Sequence, residues 1–524
     1  MSHIATEPSP PAGHRILDLF AGPGGLDVAA HVLGHQVTGI EWDRDACATR
    51  AKAGMDTFMG DVRAYRASFF PEADVLTGGP PCQTFTVAGH GAGRRALDDV
   101  LTYIDRLHQA VRENPLSDGL KSWRNIFGTW RAIHEELRIK ELEAKEVRAE
   151  KRAIEVERGK LRKEMRDRLT ALDASEAEVK AFFKHLRRHE PAETSDTELT
   201  ALVERFGEHE GLLTKLKDRL EELGDERTGL VLQPLWWVIE RSRRPGSAPY
   251  EAVILEQVRT VLPVWDRYAL VLGTLGYRTR TQVLHTEAFG VPQTRRRAVL
   301  MARLGPGGEL PEITETHERY LPGGRPAPAP KARRTAPPQT DMLQMEIPEP
   351  AATPAEDDPK DGWVSMRTAL DRARKLDTAL PERPAFTVVS NYGTGGDPEA
   401  RGERGDDLPS ATVTGKVSRN RVVCKATQDD LDRFWFAESG VLQTFPVAYP
   451  WSGKDVPQQI GNAVPPLLAL HMLRHVLGPE LSTWEERKAW RDRVTRTLET
   501  WELPATPVEL REQDGLKGHP LTGR

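Results

Sequence analysis

Arg15-Ile16-Leu17-Asp18-Leu19-Phe20-Ala21-Gly22-Pro23-Gly24-Gly25-Leu26 is the stretch whose reading decides the fold. Its first six residues form an apolar run of strand length, and residues 27–33 continue as an apolar helix. The glycines between them allow a tight turn and let a ligand approach both the backbone and the helix N-terminus. Alone, such a loop is a weak signal. The next strand, residues 36–40, ends in Glu41-Trp42-Asp43, and Glu41 lies 19 residues after Gly22. An acidic side chain about 20 residues past the glycine loop is where doubly wound α/β folds bind ribose hydroxyls. No basic side chain stands beside Glu41 to meet a 2′-phosphate. Trp42 either stacks on an adenine ring or belongs to the core. A third strand, residues 57–59, ends at Gly60-Asp61-Val62 and brings another carboxylate to the same edge.

A fourth strand, residues 74–77, runs into Gly78-Gly79-Pro80-Pro81-Cys82-Gln83-Thr84-Phe85-Thr86. That puts a cysteine at the carboxyl end of a strand, where open α/β sheets carry their chemistry, on a loop stiffened by two prolines. A thiolate is a strong nucleophile, although a lone cysteine is more often a small buried hydrophobe. The stretch after it, Ala88-Gly89-His90-Gly91-Ala92-Gly93-Arg94-Arg95, reads as a mobile basic loop able to close over a polyanion, or as a solvated turn.

The chain of 524 residues has room for two or three domains. Its 73 basic and 78 acidic residues give a formal net charge of -5, so a nucleic-acid partner would have to meet a local positive face. The cysteines, Cys47, Cys82 and Cys424, form no CxxC pair, which argues against a disulfide framework or a zinc site and for a reducing compartment. Residues 1–13 lack the apolar centre of a signal peptide, and no run approaches the ~20 apolar residues of a membrane span. The expectation is a cytoplasmic protein.

From Trp130 to Leu172 the periodicity becomes helical. Trp130, Ile133, Leu137, Ala144, Val147, Ile154, Leu161, Met165 and Leu172 fall at a and d heptad positions, and Lys140, Lys151, Arg158 and Arg168 break the seam. Ser175-Glu176-Ala177-Glu178 has capping-box form, a turn spans 190–196, and Leu199 to Leu223 repeat the heptad pattern with His209 as an exception. This predicts a charged antiparallel hairpin, a coiled-coil arm whose first helix projects roughly 60 Å. It serves a partner or DNA, or is a neutral insertion.

The α/β pattern returns with an apolar helix over 228–239 and a strand ending in Glu256-Gln257-Val258. A buried carboxyl there would have its pKa raised and could donate a proton, unless Glu256 is purely structural. After a strand over 278–284, Gln293-Thr294-Arg295-Arg296-Arg297 suits phosphate or base contact, or a solvated face. Residues 304–362, rich in Pro and Ala, read as a linker. Beyond Trp363 a turn-rich segment carries a glycine-rich loop over 391–405 and a basic group, Lys416, Arg419, Arg421 and Lys425. Gly461-Asn462-Ala463-Val464-Pro465-Pro466 precedes an apolar helix, and residues 480–524 read as a charged helix and then coil.

Five of these stretches, in this order, resemble the DNA (cytosine-5)-methyltransferase family of prokaryotic or phage type: Asp18 to Gly25, Pro80-Pro81-Cys82-Gln83, Glu256-Gln257-Val258, Gln293-x-Arg295-x-Arg297, and Gly461 to Pro466. The resemblance implies an α/β fold with a Rossmann-like S-adenosylmethionine-dependent methyltransferase sheet, a small target-recognition domain and, as a departure, the inserted helical arm. It divides the chain into catalytic segments at 14–110, 228–303 and 441–479, the arm at 111–227, the linker, a recognition region at 363–440 and the tail. Cys82 would be the nucleophile, Glu256 would hold the cytosine, and Arg295 and Arg297 would steady the intermediate and the DNA. Phe20 and Trp42 would flank the adenine, Glu41 would bind ribose, Asp61 would meet the adenine amino group, and Asn462 would close the cofactor pocket. Asp18, Gly22, Gly24, Gly25 and Val464 fall in the cofactor motifs. Gln257 stands where most of the family has Asn, an amide one methylene longer that bears on how the prolyl loop is tethered.

The function implied is methyl transfer from S-adenosyl-L-methionine to carbon 5 of a flipped-out cytosine in double-stranded DNA, within a restriction-modification setting. Its candidate partners are a cognate restriction endonuclease and a protein or second copy on the arm, with no membrane. The same chemistry on RNA is the nearest alternative, followed by a DNA-binding or scaffold protein with a decayed site. A nucleotide-dependent oxidoreductase leaves the prolyl cysteine unexplained.

Overall fold

The computed structural model describes residues 13–81, 92–187, 196–223, 228–321, 359–393, 401–481, 483–502 and 506–512. The chain forms two compact units, Met1–Pro80 with Gln233–Arg524, and Pro81–Leu232.

The first unit is built on a sheet of β1 (Arg15–Leu19), β2 (Gln36–Glu41), β3 (Asp56–Met59), β4 (Val75–Gly78), β5 (Ala252–Val258), β6 (Tyr277–His285) and β7 (Arg296–Leu304). The order is β3-β2-β1-β4-β5-β7-β6. The pairs among β1 to β5 are all parallel, while β7 runs antiparallel to both β5 and β6. β4 is buried along its whole length, and β1 and β5 are nearly so, as strands covered on both faces must be. Leu17 and Leu19 lose essentially all contact with water, each stabilising the fold by about 1.5–3 kcal/mol relative to exposure. The fold is therefore the α/β, Rossmann-like sheet that the sequence predicts.

Parallel strands in register align their carboxyl ends. Leu19 pairs with Ile40 and Gly78, Gly78 with Leu255, and Glu41 with Met59. The loops after β1 to β5 therefore emerge along one edge, where the antiparallel β7 also begins, with Arg297 opposite Val258.

A smaller antiparallel sheet, in the order β11-β10-β8-β9, contains β8 (Phe386–Gly393), β9 (Arg401–Gly405), β10 (Arg421–Cys424) and β11 (Asp430–Leu431). Two of the four basic side chains expected to form a patch there are neutralised by their neighbours. Lys425 pairs with Asp406 and Asp407 at 2.7 Å each, and Arg421 pairs with Asp430 at 2.8 Å.

Two segments differ from their sequence reading. Residues 305–321, read as the start of a linker, run along β6: Leu310 and Ile313 are buried, and Thr279 and Gln282 anchor their amides. The rest of the expected linker, 322–358, lies outside the described residues. The tail helix, Trp484–Glu499, carries a Thr483–Glu486 capping box and buries Val494 and Leu498. The chain beyond it is not all coil, because β12 (Arg511–Glu512) extends the main sheet in parallel beside β3. Sequence alone missed this strand because two residues carry no periodicity.

The second unit holds the helices Ala92–Glu113, Gly119–Ala171, Glu176–Arg187 and Thr197–Leu223. The 53-residue helix packs against Thr197–Leu223 in opposite directions. Glu143 meets Arg219, Arg158 meets Glu210 at 2.8 Å, and Arg168 meets Asp196 at 2.7 Å, so partners descend in number as the long helix advances. The two arginines expected to interrupt the seam thus pair across it. Trp130, Ile133, Ala144, Leu161 and Met165 are buried as the heptad pattern requires. Leu172 is not: the helix stops at Ala171, and Leu169 is buried instead. No described helix is long and apolar enough to cross a membrane.

Candidate active site

At the carboxyl edge of β1, Phe20 takes a left-handed conformation, φ 61°, which costs a non-glycine residue roughly 1–3 kcal/mol and is characteristic of functional loops. The turn behind it is built by three glycines with different tasks. A Cβ on Gly24 would sit 2.2 Å from Met55 Sδ, and one on Gly25 only 2.0 Å from the Val464 carbonyl oxygen. These two glycines admit protein neighbours, which is also where Val464 acts. Gly22, at φ 56°, has open space in its Cβ direction, so it alone of the three leaves room for a ligand there. Tyr449 donates its hydroxyl to the Pro23 carbonyl and fixes the turn from outside, a contact the sequence reading did not anticipate.

Glu41 ends β2 with its carboxylate accepting three backbone amides: Gly22 N at 2.7 Å, Trp42 N at 2.9 Å and Asp43 N at 2.7 Å. Burial pushes its pKa up against those hydrogen bonds. A carboxylate offers about four acceptor positions, so one stays available for a hydroxyl. Trp42 is 72% exposed, which removes the core reading and leaves its ring face open. Asp61 follows β3. Burial opposes ionisation there, but hydrogen bonds from Arg63, with which it forms an ion pair at 2.6 Å, hold the carboxyl below its usual range.

Asp18 lies beneath this rim. It is buried in β1 and accepts the Thr77 hydroxyl at 2.7 Å, and burial plus the neighbouring Asp27 charge push its pKa up to about 8. Asp27 itself accepts from both terminal guanidinium nitrogens of the fully buried Arg50, at 2.6 and 2.9 Å, while Arg50 Nε donates to the Thr57 hydroxyl. That pair ties the first two helices to β3, and nothing local in the sequence announces it.

On the other side of β1, Glu256 is 7% exposed and ion-paired with Arg297 Nε across the β5–β7 ladder. Its Oε1 is held by charge and not by an aligned hydrogen bond. A Cβ added at Gly79 would lie 3.7 Å from Glu256 Oε2, so the carboxylate stands against the start of the prolyl loop. Gln257 reaches the same loop: its amide nitrogen donates to the Pro80 carbonyl, and its oxygen accepts Val258 N at 2.5 Å. Cys82 and the first part of the expected glycine-rich basic loop, 88–91, lie outside the described residues, while residues 92–95 of that stretch are not loop but the first turn of the helix Ala92–Glu113.

Arg295 is buried within reach of the Arg297 and Glu256 charges. Its Nη1 donates to the carbonyls of Val413, at 3.0 Å, and Gly461, at 2.9 Å, so it joins three distant segments. Burial and the Arg297 charge hold its pKa well down. Gln293 does similar work, receiving Val413 N and donating to Leu442 and Gln443. Asn462 is exposed at the end of the helix Val456–Asn462 and accepts from Gln458 at 3.1 Å.

A parallel sheet edge with a glycine turn, a ribose-type acid and a prolyl loop under a buried Glu defines an α/β nucleotide-type cofactor enzyme site. The profile of the C-5 cytosine-specific DNA methylases matches residues 14–106 and 251–477, more than half the chain, and the chain belongs to that family. It is similar to the type II methyltransferase M.AplI of Arthrospira platensis, 36% identical over 18% of this chain and 27% of that protein. It is also similar to M.Bsp6I of a Bacillus species, 29% identical over 24% of this chain and 42% of the relative. The match thus spans less than half the length of these relatives. Superposed on the crystal structure of the S. pombe Dnmt2 methyltransferase, the chain gives a TM-score of 0.40 at 11% identity, covering 89% of this chain and 99% of the other.

Proposed function

We propose that this chain is a site-specific DNA cytosine-5 methyltransferase that acts on a flipped-out cytosine through a covalent Cys82 adduct. The observation that carries the reading is the convergence of Glu256, itself ion-paired with Arg297, and the Gln257 amide on Gly79 and Pro80, the backbone that leads into Cys82.

Carbon 5 of cytosine is too weak a nucleophile to take a methyl group unaided. The Cys82 thiolate adds to carbon 6, and the electron pair of the carbon 5–carbon 6 double bond is pushed towards carbon 5 while Glu256 hydrogen-bonds protonated ring nitrogen 3. Arg297 holds the Glu256 carboxylate in place. After carbon 5 is methylated, it loses its proton to a base, the double bond re-forms and the Cys82 sulfur leaves. An unperturbed cysteine is only a few per cent thiolate near pH 7, so the loop must favour the anion. The target atom lies inside the duplex stack, so the base must be extruded, as the general behaviour of methyltransferases requires.

S-adenosyl-L-methionine supplies, when bound, an electrophilic methyl group on a sulfonium. The open direction at Gly22, the spare acceptor position of Glu41, the exposed Trp42 face, the strained Phe20 and the Asp61 carboxylate fit its adenosine. Asn462 and Asp18 contribute to that pocket, Asp18 from beneath. Arg295 serves the site by holding Val413 and Gly461. The small sheet and its loops, within 363–440, recognise double-stranded DNA in a cytoplasmic setting, alongside a cognate restriction endonuclease.

Duplexes carrying 5-fluorocytosine test the mechanism, because fluorine blocks the final elimination. The wild type with cofactor should form a denaturant-stable complex with DNA and not with matched RNA, and Cys82→Ala should form none. A stable complex with RNA alone moves the substrate to RNA. Noncovalent DNA binding without any adduct favours the scaffold reading.

A further inference from the structure

The long helix Gly119–Ala171 has a second face that the hairpin leaves uncovered. Opposite the buried seam, Ile139, Leu142, Ala149, Ala153 and Val156 are all exposed and, with Glu146 interrupting the apolar run, mark positions at alternating three- and four-residue spacing. Ile139 and Val156 keep more than half their surface in water, at 53% and 59%. A stripe with this spacing is a heptad seam, with Ile139, Glu146 and Ala153 at a and Leu142, Ala149 and Val156 at d.

The charges beside it are sorted by side. The g positions are Arg138, Lys145 and Arg152, all basic; the e positions are Glu143, Glu150 and Glu157, all acidic. In a parallel pair of helices each g residue lies against an e residue of the other chain, and in an antiparallel pair g meets g and e meets e. This helix therefore complements a parallel copy of itself and repels an antiparallel one. Lys145 against the partner's Glu150 and Arg152 against the partner's Glu157 are each repeated by two-fold symmetry, whereas Glu143, opposite Arg138, is already engaged by Arg219 of the hairpin. Arg138 and Lys145 now hold pairs within the helix, to Glu135 at 2.6 Å and Glu141 at 2.9 Å, which are surface contacts that exchange at little cost. The segment falls between the two stretches matched by the family profile.

We propose that the outer face of the arm, between Arg138 and Glu157, is a self-association surface that pairs two copies of this chain in parallel. Glu146 at the central a position weakens the seam, so the dimer is reversible and depends on concentration. The proposal is independent of the methyltransferase reading.

Sedimentation velocity on the full chain across a concentration series tests it. The wild type should shift from monomer to dimer. Lys145→Glu with Arg152→Glu, and separately Glu150→Lys with Glu157→Lys, should each stay monomeric with unchanged helical circular dichroism. An equimolar mixture of the two should dimerise again. Glu146→Leu should tighten the wild-type dimer, and Ala149→Cys should yield a reducible cross-link absent from the wild type, since like d positions meet only in the parallel register. A wild type that stays monomeric throughout, a dimer that both charge swaps leave intact, or a dimer in which Ala149→Cys does not cross-link overturns the proposal. A monomer whose DNA binding is weakened by the swaps assigns this face to DNA instead.

Discussion

The side-chain amide of Gln257 donates to the carbonyl of Pro80 while accepting the Val258 amide, so one residue at the end of β5 holds the prolyl loop at the end of β4. Gln257→Leu keeps the bulk and removes the tether, and misplacing a catalytic loop by about 1 Å can cost on the order of 100-fold. Steady-state kinetics should show kcat reduced by roughly 10- to 100-fold with the KM for cofactor little changed. An unaltered kcat would remove the tether from the account.

The glycines of the first turn separate by measurement. Gly25→Ala drives a methyl group into the Val464 carbonyl, and overpacking of that kind costs about 1–3 kcal/mol, visible as a lowered denaturant midpoint. Gly22→Ala costs about 1 kcal/mol for its left-handed backbone. Its larger effect should be on cofactor affinity, read by calorimetry. Equal losses of affinity in both variants would contradict this division.

Arg50 and Asp27 are wholly buried, and each satisfies the other. Removing one partner leaves an uncompensated charge, so Asp27→Ala should destabilise the protein by about 3–5 kcal/mol in chemical denaturation. A loss under 1 kcal/mol would mean that water reaches the pair.

His471 is buried between Phe289 and Trp490, at ring separations of 5.2 and 5.3 Å, and burial lowers its pKa to about 3. A base whose folded pKa lies below its unfolded value of 6.5 binds protons preferentially when unfolded. Stability is therefore complete above about 6.5 and is lost as the pH falls towards 3. His317 and His35, each lowered to about 4, add to the same slope. His471→Leu should reduce the slope of stability against pH below 6 by about one proton, or ~1.4 kcal/mol per pH unit. An unchanged slope would show that the ring is already charged when folded.

What the sequence made legible was whatever follows a strand. Phe20, Glu41, Asp61 and Glu256 each end an apolar run, and register in a parallel sheet brings such positions together without knowledge of any tertiary contact. The ties between distant segments were not legible. Asp27 with Arg50, Arg295 with Val413 and Gly461, and Tyr449 with Pro23 involve partners that share no periodic spacing, and such pairing is decided only when the elements pack. Gly24 and Gly25 looked like cofactor glycines because a turn and a close protein contact demand the same residue. The seam of the arm was legible from its heptads, but its end at Ala171 is set by the αL residue Asp173, φ 56°, which no heptad encodes.

In the proposed function Cys82, next but one along the chain from the Pro80 that Gln257 contacts, is the nucleophile for cytosine methylation in DNA. Base-resolution methylation sequencing of DNA from cells expressing the wild type or Cys82→Ala tests it most directly. The wild type should leave 5-methylcytosine at one short motif, and Cys82→Ala should leave none. Unmodified DNA in both, with each protein soluble and folded, would contradict it.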